Sequence, residues 1–232
     1  MKANSLLENL FPGGHSIEVD DGVLLGFSVS DGKEIAVLGT ANHRAIDVSV
    51  ALRLAEFVLT VIKDKPGCPI LMLVDTEGQH LSKTGEILGI NGYLAHLVKC
   101  LGLASKEGHF LVSLVYGEAV SGGFLSFGLM ADEIHALAEA KIRVMNLPAM
   151  ARITKLPLEM LEDLSWSSPS FAPGVENFFK LGGVKSIWSP PFEKHLKRIF
   201  GQDIEGDQRR KQGLERQGRK LAYIVSQKVL DG

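Results

Sequence analysis

A chain of 232 residues, 45% of them hydrophobic, can bury a sizeable core, and its length suits one α/β domain better than two. Its 25 lysines and arginines against 27 acidic residues leave a formal charge of −2, which excludes the basic field that nucleic-acid binding relies on. Cys68 and Cys100 lack redox or zinc-site spacing, the start Met1-Lys2-Ala3-Asn4-Ser5-Leu6-Leu7-Glu8 has no apolar h-region, and no stretch approaches the ~20 apolar residues of a membrane span, so a cytoplasmic protein with no membrane partner is expected.

Val23 to Val29 and Ile35 to Leu38 are apolar runs separated by Ser30-Asp31-Gly32, which predicts a hairpin. Asp47 stands where an N-cap would, followed by Val48, Ala51, Leu52, Ala55, Val58, Leu59 and Ile62 at helical spacing, with an end near Lys65-Pro66-Gly67. Ile70 to Val74 is apolar at every position, as in a strand covered on both faces, and Asp75-Thr76-Glu77-Gly78 should open a βα loop. Ile87, Asn91, Leu94, Val98 and Leu101 trace a second long helix, in which Gly89 and Gly92 would allow close packing.

Phe110 to Tyr116 repeats the buried-strand pattern, Gly117 to Gly123 reads as a second small-residue loop, and Phe124 to Met130 as a helix enclosed by protein. Two short strands are expected at Ile134–Leu137 and Ile142–Met145. A loop at Ser167-Ser168-Pro169-Ser170 and Ala172-Pro173-Gly174 then precedes a short helix that Gly182-Gly183 can end. From Glu193 to Asp231 ten basic residues face six acidic ones, and Leu214, Leu221, Ile224, Val225 and Val229 mark an apolar helical face for packing on the domain or on a partner.

In Gly117-Glu118-Ala119-Val120-Ser121-Gly122-Gly123 a buried strand passes into the first turn of a buried helix, whose leading N–H groups have no partner inside the helix. The macrodipole and the missing side chains of Gly122 and Gly123 would let an anion approach the backbone, as in an oxyanion hole. Packing alone could also call for the glycines. Asp75-Thr76-Glu77-Gly78 favours the first reading, because it lies at the carboxyl end of the preceding strand, the edge at which α/β sheets bind ligands.

Val74-Asp75-Thr76-Glu77-Gly78, a long helix and then Gly117 to Gly123 resemble the α-type half of the acyl-CoA carboxyltransferases, with their D-T-P-G and G-E-G-G-S-G-G motifs. Within that group the pattern is most similar to the γ subunit of the biotin-independent malonate decarboxylases. The resemblance runs from about Ile35 to Leu164 and includes Asn146-Leu147-Pro148-Ala149-Met150-Ala151-Arg152-Ile153 in place of an S-P-E-G-type turn. Glu77 replaces the family proline and Ala119-Val120 replace two glycines, which departs from the biotin-facing loop. The chain has no A-M-K-M sequence to carry biotin.

The resemblance implies an α/β fold, a crotonase-like ββα spiral with C-terminal helices. A single crotonase-like carboxyltransferase domain is expected over 1–232, with a core at about 18–165 and a helical extension at about 174–232. It further implies a carboxy-lyase subunit that converts a malonyl thioester to an acetyl thioester and CO2, at a site shared with a homologous β subunit. Gly122 and Gly123 would be the oxyanion-hole N–H donors, with Ser121, Thr76 and Gly78 lining the substrate. No metal or tightly bound cofactor is expected; the acyl group would ride on the dephospho-CoA-type prosthetic group of an acyl-carrier protein, with a malonate transferase α subunit as a further partner. The alternatives are a biotin-dependent carboxyltransferase α subunit and a non-catalytic scaffold.

The G-x-S-x-G elbow is absent around Ser121, because Ala119 stands where its first glycine would be, and no histidine occurs in Arg143-Val144-Met145-Asn146 to serve it. Glu118 reads as a loop carboxylate that caps or pairs, and Asp75 as a loop-fixing acceptor. His80 reads as a solvated loop residue, His109 and His135 as strand-edge residues, and no His/Asp/Glu spacing suggests a metal.

Overall fold

The computed structural model describes residues 1–167, 172–202 and 206–231. Ser168, Pro169 and Ser170 of the expected loop lie outside these residues. A helix α1 (Ala3–Leu10) leads into two hairpins built from β1 (His15–Asp20), β2 (Val23–Ser30) and β3 (Lys33–Thr40). Each hairpin turns on an Asp-Gly pair with positive φ, Asp21-Gly22 at 45° and 71° and Asp31-Gly32 at 51° and 76°. That backbone twist suits a two-residue hairpin loop, and the register, Asp20 opposite Val23 and Ser30 opposite Lys33, follows from it.

The chain then alternates between parallel strands and helices. Asp47 caps α2 (Val48–Asp64) by accepting the Val50 amide at 2.9 Å. Strand β4 (Ile70–Thr76) is buried at all of its positions, including Asp75 and Thr76, which the sequence had placed in a loop. The expected second long helix is two, α3 (Lys83–Leu88) and α4 (Ile90–Lys106). Gly89 divides them with φ 76°, a left-handed conformation that a glycine adopts without a Cβ penalty. A Cβ on Gly89 or Gly92 would meet nothing within 4 Å, so neither glycine is there for close packing.

Strand β5 (Leu111–Val120) runs through most of the segment read as a loop, and the buried helix shortens to α5 (Ser121–Ser126) plus a 3₁₀ turn at Gly128–Met130. Phe124 and Phe127 are fully buried, but Leu125 is 42% exposed, so this helix is not enclosed all round. β6 (Glu133–Leu137), β7 (Lys141–Arg143), α6 (Leu147–Thr154), α7 (Leu158–Ser167), α8 (Val175–Lys180), β8 (Ser186–Trp188), α9 (Phe192–Phe200), α10 (Arg209–Glu215) and α11 (Lys220–Asp231) follow. Among the described residues the sheet order is β1-β2-β3-β4-β5-β6-β8, with β7 paired to the far end of β5, antiparallel over the first three strands and parallel beyond.

Strand alternation sends side chains to two cores. Ala36, Leu38, Ile70, Met72 and Val74 pack with α2, α4 and α5, whereas Ile35, Val37, Leu71, Leu73 and Tyr116 pack with α1 and α9. Leu6, Leu7 and Leu10 belong to the second core, so buried structure begins well before residue 18. The apolar stripe of α11 is not packed on the domain: Leu221, Val225 and Val229 are each at least 60% exposed.

His109 and His135 are buried rather than strand-edge residues. His135 sits on β6 between β5 and β8, with Nδ1 2.8 Å from Ser186 Oγ and its ring against Trp188. Its Nε2 faces Glu133 Oε2 at 3.3 Å without the alignment of a hydrogen bond. Burial holds the imidazole below its ordinary pKa of 6.5, outweighing the Glu133 carboxylate that would raise it. Below pH 6.5 the unfolded chain therefore takes up a proton that the folded chain refuses, and stability falls with pH. The fall between about pH 6.5 and 5 should be reduced in His135→Gln; urea titrations of both proteins across that range measure it.

Candidate active site

The carboxyl ends of β4 and β5 converge on Asp75. Its carboxylate, 4% exposed, accepts the Glu118 amide at 2.8 Å and the His43 amide at 3.1 Å, and lies 2.7 Å from His43 Nδ1. Asp75 is thus the loop-fixing acceptor that its position in the motif suggested. A Cβ on Gly117 would collide with this carboxylate, which is why the strand carries glycine there. Thr76 is fully buried; its Oγ1 accepts the Gly78 amide at 3.1 Å and closes the turn. Thr76 and the Gly78 N–H therefore shape the loop from inside, while the Gly78 carbonyl accepts the Ile46 amide at 2.8 Å.

Opposite this turn, Ser121 has φ 50°, a left-handed conformation that costs a non-glycine residue about 1–3 kcal/mol and that the surrounding structure must hold. The kink aims the Gly122 amide at the 77–79 loop, where it donates to Gln79 Oε1 at 2.9 Å. A Cβ on Gly122 would stand 2.8 Å from that oxygen, and one on Gly123 would stand 2.6 Å from the Gly78 carbonyl carbon. Both glycines are needed for the two loops to meet, so the packing requirement and the approach of the Gly122 amide to Gln79 are one feature. Because α5 has only six residues and no side-chain cap, its macrodipole is that of less than two turns. An anion at this turn would depend on hydrogen-bond donors around the loops more than on a helix field.

Glu118 lies on β5, not in a loop, and pairs with Arg143 of β7 at 2.7 Å and more loosely with Lys141 at 3.8 Å. Arg143 also borders a cavity of about 500 Å³ lined by Val144, Met150, Ile153, Pro173 and Phe178. His80 is exposed, and among the described residues no group of three His, Cys, Asp or Glu side chains could hold a metal. No side chain is hydrogen-bonded to Ser121 Oγ among the described residues, so nothing there activates it as a nucleophile. Sequence reasoning passed over Gln79, His43 and Arg143. Only Gln79 carried a signal, as the polar residue that follows Gly78 in the same loop.

The family model for the malonate decarboxylase gamma subunit matches residues 41–232. The malonyl-S-ACP:biotin-protein carboxyltransferase MADD of Malonomonas rubra is 44% identical over 131 residues, covering 54% of this chain and 45% of that protein. The chain thus spans less than half the length of this curated relative. Among solved structures, a Pseudomonas malonate decarboxylase hetero-tetramer in complex with coenzyme A superposes with a TM-score of 0.80 at 21% identity, over 98% of this chain and 97% of that one. The transcarboxylase 12S core, with methylmalonyl-coenzyme A bound, gives 0.72 at 17% identity over 86% of this chain and 41% of that one. At these identities the structures establish the fold, the crotonase-like α/β architecture of the carboxyltransferases.

Proposed function

The chain belongs to the malonate decarboxylase gamma subunit family, and from that premise we propose that it supplies one half of a decarboxylation site for a malonyl thioester on an acyl-carrier protein. In the reaction the bond between the carboxylate carbon and the α-carbon breaks, its electron pair moves onto the thioester as an enolate, and one proton adds to carbon to give the acetyl thioester and CO2. Fixed N–H donors suffice to guide this flow of charge. The observation that carries the reading is the juxtaposition of Gly122 and Gly123 with the 77–79 loop at the ligand-binding edge of the sheet.

The Gly122-Gly123 turn faces the departing carboxylate, with the Gly122 amide engaged by Gln79 at its rim and Ser121, Thr76 and Gly78 fixing its position. A homologous β subunit faces the thioester oxygen with its own oxyanion hole. The exposed Leu81, Ile87 and Leu88, which follow Gln79 in the chain, favour burial of this rim against such a partner. The malonyl group arrives on the dephospho-CoA-type arm of the carrier, loaded by a malonate transferase α subunit, and this chain holds no cofactor of its own. The whole chain serves as one crotonase-like domain with a C-terminal helical extension, working in the cytoplasm. Mixing the chain with its β subunit and malonyl-CoA should release CO2. Release by this chain alone, undiminished without the partner, sinks the shared site.

A second reading is favoured by the Malonomonas rubra relative, a malonyl-S-ACP:biotin-protein carboxyltransferase. Carboxylation of free biotin by the reconstituted pair in place of CO2 release would support it.

A further inference from the structure

The Gly122 amide, counted among the donors that face substrate, is already engaged by Gln79 Oε1 at 2.9 Å. Because that amide can only donate, the oxygen end of the Gln79 carboxamide must point at it and the Nε2 end must point away. Nε2 has no partner among the described residues, and Gln79 is half-buried at the mouth of the site. The backbone of Gln79 is held as firmly as its carbonyl end: Ile46 and Gln79 form a parallel bridge, the Ile46 amide donates to Gly78 O at 2.8 Å and the His80 amide to Ile46 O at 2.9 Å. A side chain tied at both ends, with a free pair of N–H donors between the two loops, is organised in advance to meet an acceptor.

We infer that Gln79 is the residue that binds the substrate's free carboxylate through Nε2, and that Gly122 acts on the substrate through Gln79 rather than directly. The inference rests on the decarboxylase reading above and assigns it a substrate-recognition residue. Neutral donors suit the task. The carboxylate loses its charge as CO2 departs, so a cation bound to it would stabilise the substrate more than the transition state and slow the reaction. Arg143, the cation carried by neighbouring β7, is paired with Glu118 at 2.7 Å and so is already neutralised.

A contact made to a group whose charge is lost in the transition state shows itself in binding more than in turnover. Gln79→Ala should therefore raise KM for malonyl-CoA about 10- to 100-fold in the reconstituted pair, with kcat equal to or above that of wild type. Gln79→Glu keeps an acceptor for Gly122 but presents an acceptor and a negative charge to the carboxylate, so its KM should rise further. Inhibition by acetyl-CoA, which lacks the carboxylate, should be unaltered in both. Adding Gly122→Ala to Gln79→Ala should raise KM no further, because the two residues act as one unit.

An unchanged KM, or a KM for malonyl-CoA that rises in parallel with the inhibition constant for acetyl-CoA, overturns the assignment. A wild-type pair that releases no CO2 refutes the decarboxylase reading instead. Calorimetric binding of the two thioesters to that pair then still reads Gln79, and equal discrimination by wild type and Gln79→Ala overturns the inference.

Discussion

Gly123→Ala is expected to lower kcat/KM for malonyl-thioester decarboxylation about 100-fold while the protein still folds and pairs with its β subunit. The new Cβ would stand 2.6 Å from the Gly78 carbonyl carbon, 2.8 Å from its Cα and 2.9 Å from its oxygen, all backbone atoms that cannot swing aside. The 77–79 loop must therefore retreat, and it carries Gln79 with it. Gly122→Ala meets only the end of a flexible side chain, with Gln79 Oε1 at 2.8 Å, so it is the milder change to the backbone. Overpacking of this kind costs about 1–3 kcal/mol of stability, little enough for the fold to survive. Steady-state kinetics on the reconstituted pair, with co-elution of the two subunits as a control, measure the effect. Intact turnover in a complex that still assembles would make the glycine loop a scaffold and leave all the chemistry to the partner.

Local signals in the sequence were sufficient where one residue type has one job. Asp47 ahead of an apolar helical stripe, Asp31-Gly32 between two apolar runs, and the unbroken apolar stretch from Ile70 to Val74 each specified their element without tertiary help. Other features depended on contacts far away in the chain. Gly117 to Val120 read as a loop because its residues are small. It is strand because Glu118, Ala119 and Val120 pair with Lys141, Ile142 and Arg143, and because Asp75 leaves no room for a side chain at 117. β8 has three residues, too few for a period, and exists through its pairing with His135, Ala136 and Leu137. Gly89 fits a helical pattern, and its left-handed φ is invisible to periodicity. At the site, the glycine pair was legible from composition, whereas Gln79 was marked only by its place after Gly78, since its bond to Gly122 spans 43 residues.

The largest stability effect should come from Asp75→Ala, a loss of about 3 kcal/mol or more. Asp75 is almost fully buried, and its two oxygens serve the amides of Glu118 and His43 together with the His43 imidazole. Truncation leaves two backbone donors without an acceptor, each costing about 1–3 kcal/mol if water cannot reach it, and opens a void beside Gly117. Asp75→Asn keeps one oxygen of the same size and should lose less, because either amide can still be served by its carbonyl. Urea unfolding of the three proteins gives the ordering directly, wild type above Asn above Ala. The loss should also reach the site. The Glu118 amide fixes β5 three residues before Ser121, and the His43 carbonyl accepts the Glu77 amide at 3.2 Å, so Asp75 positions both sides of the cleft at once. If Asp75→Ala unfolded at the same urea concentration as wild type, water would have to satisfy those donors, and the carboxylate would be no keystone of the converging loops.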